Sequence, residues 1–531
     1  MIQVAQILFI LSVLVILHEF GHYLTARMFK MRVEKFYLFM DIGFSLIKKK
    51  IGHTEWGIGW LPLGGYVKIS GMIDESMDED QMKQEPQPWE FRSKPAWQRL
   101  IVMLGGIIVN ILLAWLIYTV TYATIGQKYI SMEKLQKNGL AFGEVGQSVG
   151  FKNGDKIVSI DGKLQPKFNW AIIDILLSDE IVVDRKGKEV KLNLTDEQKG
   201  EILGKEGKGF LKARFELNKG VYVDSINSKK SQLQFKDEIL GIQNQKLTYF
   251  DQFKDYLIEN KNKQVGVLVK RNNKDTVVNV LVDKNGSIGL EKDFFINSQL
   301  LLKEVKIGEV TADSNAEKGG LTSNDIIQKV NGKELMLYSE FKNLLSKNKN
   351  KEVVLTVNRN NTTQDLKVQV NEEGKIGFMP KPAVEIKNEF EIVNKLSFGN
   401  AVSAAVNESY QLLVYNVKQF KLILRPATGA YKQVQSPIGI ARRLPSFWDW
   451  EFIWNFTALF SIGLAFMNLL PIPGLDGGHA LFTIVEMVTG KKLSDKAAGY
   501  VQTGGMIFLL SLMVLTFGKD IYQLILDKLI N

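Results

Sequence analysis

Three residues near the N-terminus have the types and spacing for metal-assisted chemistry: His18, Glu19 and His22. Imidazoles four residues apart leave the same face of an α-helix, so His18 and His22 can bind one metal ion together. Glu19 stands beside them, placed to take a proton from water activated by that metal instead of ligating it. An H-E-x-x-H pattern also arises by chance, as a helix end with two hydrogen-bonded imidazoles. The surroundings weigh against chance. From Val4 to Leu17 no residue is charged and only Gln6 and Ser12 are polar, and ionisable groups beside such a segment are costly and functional by default.

The chain has no cysteine and four histidines. Thiolate ligation, disulfides and a cysteine nucleophile are therefore excluded, and any metal takes nitrogen and oxygen donors. A catalytic zinc normally has three protein ligands and an exchangeable position for water. The third ligand is sought near the other end, where Asn468 to His479 reads Asn-Leu-Leu-Pro-Ile-Pro-Gly-Leu-Asp-Gly-Gly-His. Two prolines and a run of glycines must unwind a helix here, which requires shelter inside the protein. Asp476 is the best third ligand; His479 is second, being further along a segment already turning away.

These residues need elements to carry them. The 531 residues are 45% hydrophobic with a mean hydropathy of −0.03, an average over apolar ends and a polar middle. The net charge of +10, from 67 Lys and Arg against 57 Asp and Glu, is spread over loops beside apolar segments. Membrane topology explains it better than nucleic-acid binding, for which no basic helix interleaved with aromatics exists. Residues 1–24 read as a transmembrane helix, since no basic stretch precedes the apolar run and no A-x-A site follows it. Further spans are expected over 97–126, 451–471 and 504–525. Arg27, Lys30, Arg32 and Lys35 place the His18 end of the first span on the cytoplasmic side, and the third span also travels inward. His22 and Asp476 are thereby brought to one side and a similar depth.

Between the first two spans, residues 25–96 carry aromatic and glycine-punctuated stretches, expected to form short strands and a hairpin that either dips into the bilayer edge or is an ordinary cytoplasmic one. Gly105-Gly106 in the second span permits close helix contact, and Asn110 is a candidate substrate-binding residue, although helix packing alone explains both features and is the leading reading. The middle holds a repeat: Asp155, Asp237 and Asp325 recur in related contexts at intervals of a small domain. Modules are expected over 130–215, 217–296 (a degenerate copy) and 302–382. Each has the helix and alternating strand pair of a PDZ domain, whose groove accepts an extended peptide; they can equally serve as a steric screen. Residues 385–450 hold an amphipathic stretch, read as lying on the membrane surface or packed against the modules, and 472–503 form a cytoplasmic loop.

The chain resembles the site-2 proteases, intramembrane zinc metalloproteases, of the bacterial sigma-E protease type with PDZ domains. The resemblance rests on His18 to His22, on Gly64-Gly65-Tyr66-Val67-Lys68-Ile69-Ser70-Gly71-Met72, and on Asn468 to Gly477, which has the N-x-x-P-x-P-x-L-D-G form. It implies an α-helical polytopic membrane protein with four transmembrane helices, a membrane-associated β-hairpin and extracytoplasmic PDZ-like α+β modules. It also implies one catalytic Zn2+ on His18, His22 and Asp476, with Glu19 as base and Asn468 on the substrate backbone or developing oxyanion. Gly64, Gly65 and Tyr66 would offer a strand edge to the substrate. The substrates implied are single-span membrane proteins already trimmed on the outer side, an anti-sigma factor or a remnant signal peptide. The protein would sit in a bacterial inner membrane with the active site toward the cytoplasm. The small-x-P pattern of the family is replaced here by Gly105-Gly106-Ile107, and three modules stand where two are usual.

Two other functions are consistent with parts of the chain. A membrane-tethered PDZ scaffold with a vestigial metal site would not need Glu19. A metal transporter is disfavoured by the lack of an inverted repeat.

Overall fold

The computed structural model describes residues 2–530 apart from 63, 73–84, 205–209, 218–220, 222, 224–231, 235–236, 289–304, 336–337, 381–389, 446 and 493. Residues 73–84, ahead of the second span, and much of the entry to the second repeat lie outside the described residues. The chain divides into two compact units, Met1–Lys128 with Val393–Asn531, and Tyr129–Ile392.

The first unit is built on helices. Those labelled here are α1 (Ile2–Met28), α2 (Ala96–Thr124), α3 (Phe398–Ile423), α4 (Trp450–Leu469), α5 (Asp476–Thr489) and α6 (Asp495–Ile530). Four are long and apolar enough to cross a membrane: α1, α2, α4 and residues 497–526 of α6. α1 and α6 run further than the apolar stretches 1–24 and 504–525, because charged ends continue the helix, whereas α2 and α4 stop two residues short of the expected 126 and 471. Asp449 starts α4 by accepting from the Phe452 N–H at 3.0 Å, and Pro471 ends it by removing a donor.

The seam between α1 and α2 is made of backbone. A Cβ added at Gly21 would lie 2.3 Å from the Gly105 carbonyl oxygen, and one at Gly105 would lie 2.6 Å from that of Gly21. Only glycine at both positions lets the two helices approach this closely. On the other side of α2, Ser461 of α4 donates its hydroxyl to the Asn110 carbonyl oxygen at 2.7 Å. The amphipathic helix α3 packs on α2 and α4, with Phe420 against Phe466; Ala401, Ala405, Leu412 and Tyr415 are buried, while Phe398, Val402, Val417 and Leu424 stay exposed.

After α1 the chain forms a four-stranded sheet where a hairpin was expected. Its strands are β1 (Val33–Leu38), β2 (Met40–Ile51), β3 (Thr54–Leu61) and β4 (Tyr66–Ile69), in the order β2-β3-β1-β4. β2 and β3 do form a hairpin, but β3 also pairs parallel to β1, Phe36 opposite Trp56. Phe39, at φ 67°, turns the chain out of β1 and directly into β2. The fully buried Tyr37 stacks on Tyr66 of β4, ring centroids 5.3 Å apart. A Cβ on Gly57 would strike the Tyr37 ring. β4 is an edge strand held against α1: a Cβ at Gly65 would be 2.7 Å from Val15 and 3.2 Å from Glu19.

The second unit contains three antiparallel sheets with a shared plan. The pairs are Lys156–Ile160 with Ile181–Arg185, Glu238–Ile242 with Gln264–Arg271, and Ile326–Val330 with Glu352–Arg359. Each first strand is interrupted at the same place, between Ile157 and Ser159, Ile239 and Gly241, and Ile327 and Lys329. The repeated aspartates are almost completely buried, and each is gripped by an arginine at the end of the second strand. Asp155 takes Arg185 at 2.8 and 2.7 Å, Asp237 takes Arg271 at 2.7 and 2.6 Å, and Asp325 takes Arg359 at 2.7 and 2.7 Å. The same carboxylates accept the backbone N–H three residues earlier, from Lys152, Gln234 and Thr322. A buried carboxylate with this many donors avoids the cost of an unpaired charge.

Candidate metal centre

His18 and His22 lie on one face of α1, and Asp476 opens α5 directly after the turn that Pro471, Pro473 and Gly474 force on the chain. Gly474, at φ 96°, makes that turn possible. The Gly474 N–H donates to Gln502 of α6 at 3.2 Å, which fixes it. Asp476 Oδ2 stands 3.2 Å from His18 Nε2 and 3.3 Å from His22 Nε2, and the two Nε2 atoms are 3.4 Å apart. Oδ2 is buried and meets no hydrogen-bond donor other than those imidazole nitrogens.

These three distances test whether a metal fits. Zinc bonds of 2.0–2.2 Å at tetrahedral angles place neighbouring ligand atoms about 3.4 Å apart. The site has that spacing on all three edges. His22 Nδ1 lies 2.8 Å from the Val102 carbonyl oxygen, which can only accept. The proton is therefore on Nδ1, and the Nε2 lone pair faces the centre. Among the described residues no other group of three or more His, Asp or Glu converges in this way.

α2 makes room for the two rings. A Cβ on Gly106 would lie 2.5 Å from His18 Cε1 and 2.6 Å from His22 Nε2, so the site needs glycine there. Val102, Gly106 and Asn110 are spaced by four, matching the interval between the histidines on an antiparallel neighbour. Sequence reasoning noted the glycine pair as a packing device and passed over Val102 and the match in interval.

A cavity of about 620 Å³ opens on the centre, lined by His18, Glu19, His22 and Asp476 together with Gly64, Gly65, Tyr66, Asn468 and His479. The helix end, the edge strand β4 and the Asn468 motif thus meet in one space. Asn468 Nδ2 lies 3.2 Å from His18 Nε2, an amide N–H at the rim of the metal position. His479, the second choice as ligand, lines the cavity without joining the three converging atoms. Asn110 does not line it. It is fully buried behind His18, with Nδ2 3.1 Å from His18 Nδ1.

Two imidazoles and a carboxylate beside a glutamate, set among helices of membrane-spanning length, define a metallopeptidase of the membrane-embedded class. A profile of Peptidase family M50 matches residues 6–512, and the chain belongs to this family, the site-2 proteases. A putative zinc metalloprotease of Neisseria meningitidis (serogroup A, serotype 4A) is 24% identical over 543 residues, 98% of each chain. One of Vibrio cholerae is 26% identical over 537 residues, 97% of each. The regulator of sigma-E protease RseP of Escherichia coli K12 is 25% identical over 541 residues, 98% of this chain and 99% of that one. The protein is a zinc metalloprotease, and zinc is its cofactor.

Proposed function

We propose that the protein hydrolyses a peptide bond in or near the transmembrane segment of single-span membrane proteins already trimmed on their outer side. The observation that carries this reading is the convergence of His18, His22 and Asp476 at zinc-ligand spacing in a cavity shared with Glu19 and β4. His18, His22 and Asp476 hold the zinc. When bound, it polarises the scissile carbonyl and makes water a nucleophile near neutral pH. Glu19 takes the proton from that water and delivers it to the leaving amine. Asn468 donates its side-chain N–H to the carbonyl oxygen as negative charge develops there. The edge strand β4, entered through Gly64-Gly65, accepts the unwound substrate as an added strand and exposes its amide.

The setting follows from charge and kinship. Basic residues after α1 support a centre toward the cytoplasm, with the three Asp–Arg modules outside as PDZ-like units that screen or bind peptides. A bacterial inner membrane is the fitting location, with an anti-sigma factor or a remnant signal peptide as substrate; the Escherichia coli relative is named a regulator of sigma-E protease.

The test is cleavage of a short single-span reporter by the purified protein and by Glu19→Gln, with zinc assayed on both. Cleavage by the wild type alone, with zinc on both, supports the reading; Glu19→Gln should lose at least about 100-fold in rate. If neither cuts pre-trimmed helices although both hold zinc, the protein is a tethered scaffold.

A further inference from the structure

We propose that Asn110 is a positioning residue for the metal: its side-chain oxygen accepts the Nδ1–H of His18 and so turns the Nε2 lone pair toward zinc. The inference rests on the assignment of His18, His22 and Asp476 as zinc ligands made above.

Four observations lead to it. Asn110 is fully buried and its amide is 3.1 Å from His18 Nδ1. Its Oδ1 is buried and meets no donor among the described residues. The two ends of a primary amide change places by rotation about the Cβ–Cγ bond. One such rotation sets the orphaned oxygen on the ring N–H that His18 must carry when Nε2 holds a metal.

His22 supplies the precedent within the same site, since the Val102 carbonyl already accepts its Nδ1–H at 2.8 Å. One helix therefore orients both ligands, with a backbone oxygen at 102 and a side-chain oxygen at 110, eight residues apart on one stripe. Asn110 is also anchored, because Ser461 holds its carbonyl oxygen at 2.7 Å. The amide can rotate there, but it cannot move away.

The alternatives for Asn110 are a substrate contact, which its absence from the cavity wall opposes, and simple packing of three helices. Zinc affinity separates them. Chelator competition on the full-length protein in detergent should show Asn110→Leu, with the same side-chain branching but no acceptor, binding zinc 10–100-fold more weakly than wild type. Asn110→Asp keeps an acceptor at the same place and should stay within a few-fold of wild type. Should the leucine variant fail to fold, Asn110→Ala and the imidazole 15N–1H spectrum of the zinc-loaded wild type take its place. The Nδ1–H signal of His18 should be slowly exchanging in wild type and fast in the variant.

Equal loss of zinc in the leucine and aspartate variants would assign Asn110 to packing and overturn the proposal. So would unchanged zinc affinity with a raised KM, which marks a substrate contact. His18→Ala is the control for the underlying assignment: if it retains zinc like wild type, the ligand set itself is wrong and not merely the role of Asn110.

Discussion

At the scale of single residues the centre is a set of lone pairs aimed at one point. Three ligand atoms 3.2–3.4 Å apart repel one another unless a cation or a shared proton lies between them. Asp476→Asn removes the charge and keeps the shape, so zinc affinity should fall at least about 100-fold, beyond the effect of losing an orienting contact. Equilibrium dialysis against a zinc buffer checks this, and retention of zinc would remove Asp476 from the ligand set. The ligand candidates were legible because chemistry restricts them: with no cysteine and four histidines there are few ways to build the site. The contact of Asn110 was not legible. Which side of a helix meets which neighbour depends on packing between helices, and α2 is apolar nearly all round its second half.

At the scale of elements, glycine decides the geometry. Gly106→Ala should displace both imidazoles and lower zinc affinity and cleavage together. Gly463→Ala in α4, where an added Cβ meets nothing within 4 Å, should leave both unchanged. Equal behaviour of the two variants in the same zinc and cleavage assays would show that the site tolerates crowding from α2. The strands at 33–69 were foreseen from aromatic and β-branched content, but the parallel pairing of β1 with β3 was not. Pairing partners are set by long-range packing, here of Tyr37 between Gly57 and Tyr66, which local pattern does not encode.

At the scale of the whole molecule the repeat is its most regular feature. The aspartates were readable as a period; their arginines were not, although each precedes a turn with two successive positive φ angles: Lys186-Gly187, Asn272-Asn273 and Asn360-Asn361. That turn geometry is the one favoured by tight hairpins, and it places Arg185, Arg271 and Arg359 at the same register. In the third module burial pushes the Asp325 carboxyl up, but the Arg359 guanidinium and the Thr322 donors outweigh burial and hold it below its ordinary value. A depressed carboxyl stabilises the fold fully above about pH 4, and that contribution is lost as pH falls through the folded value. Amide exchange in Glu352–Arg359 of the full-length protein, corrected for intrinsic rates, should therefore lose protection below about pH 4. Arg359→Met should be less protected at neutral pH, by about 1–3 kcal/mol, and should lose less on acidification. An identical pH profile in both would contradict the role given to the pair. Deleting residues 130–382 should relax substrate choice without abolishing cleavage of a pre-trimmed helix; loss of all cleavage would reject screening as the modules' task.

The backbone seam between α1 and α2 has a consequence for how the cofactor comes and goes. The contacts at Gly21 and Gly105 are mostly backbone, with the Thr25 hydroxyl as the side-chain neighbour of Gly105, so the two imidazoles form a preassembled half of the site. Asp476 arrives separately, on a helix reached through the Pro471–Gly474 turn. Exchange of zinc for another divalent ion should be timed by that turn, and stiffening it would slow entry and escape alike.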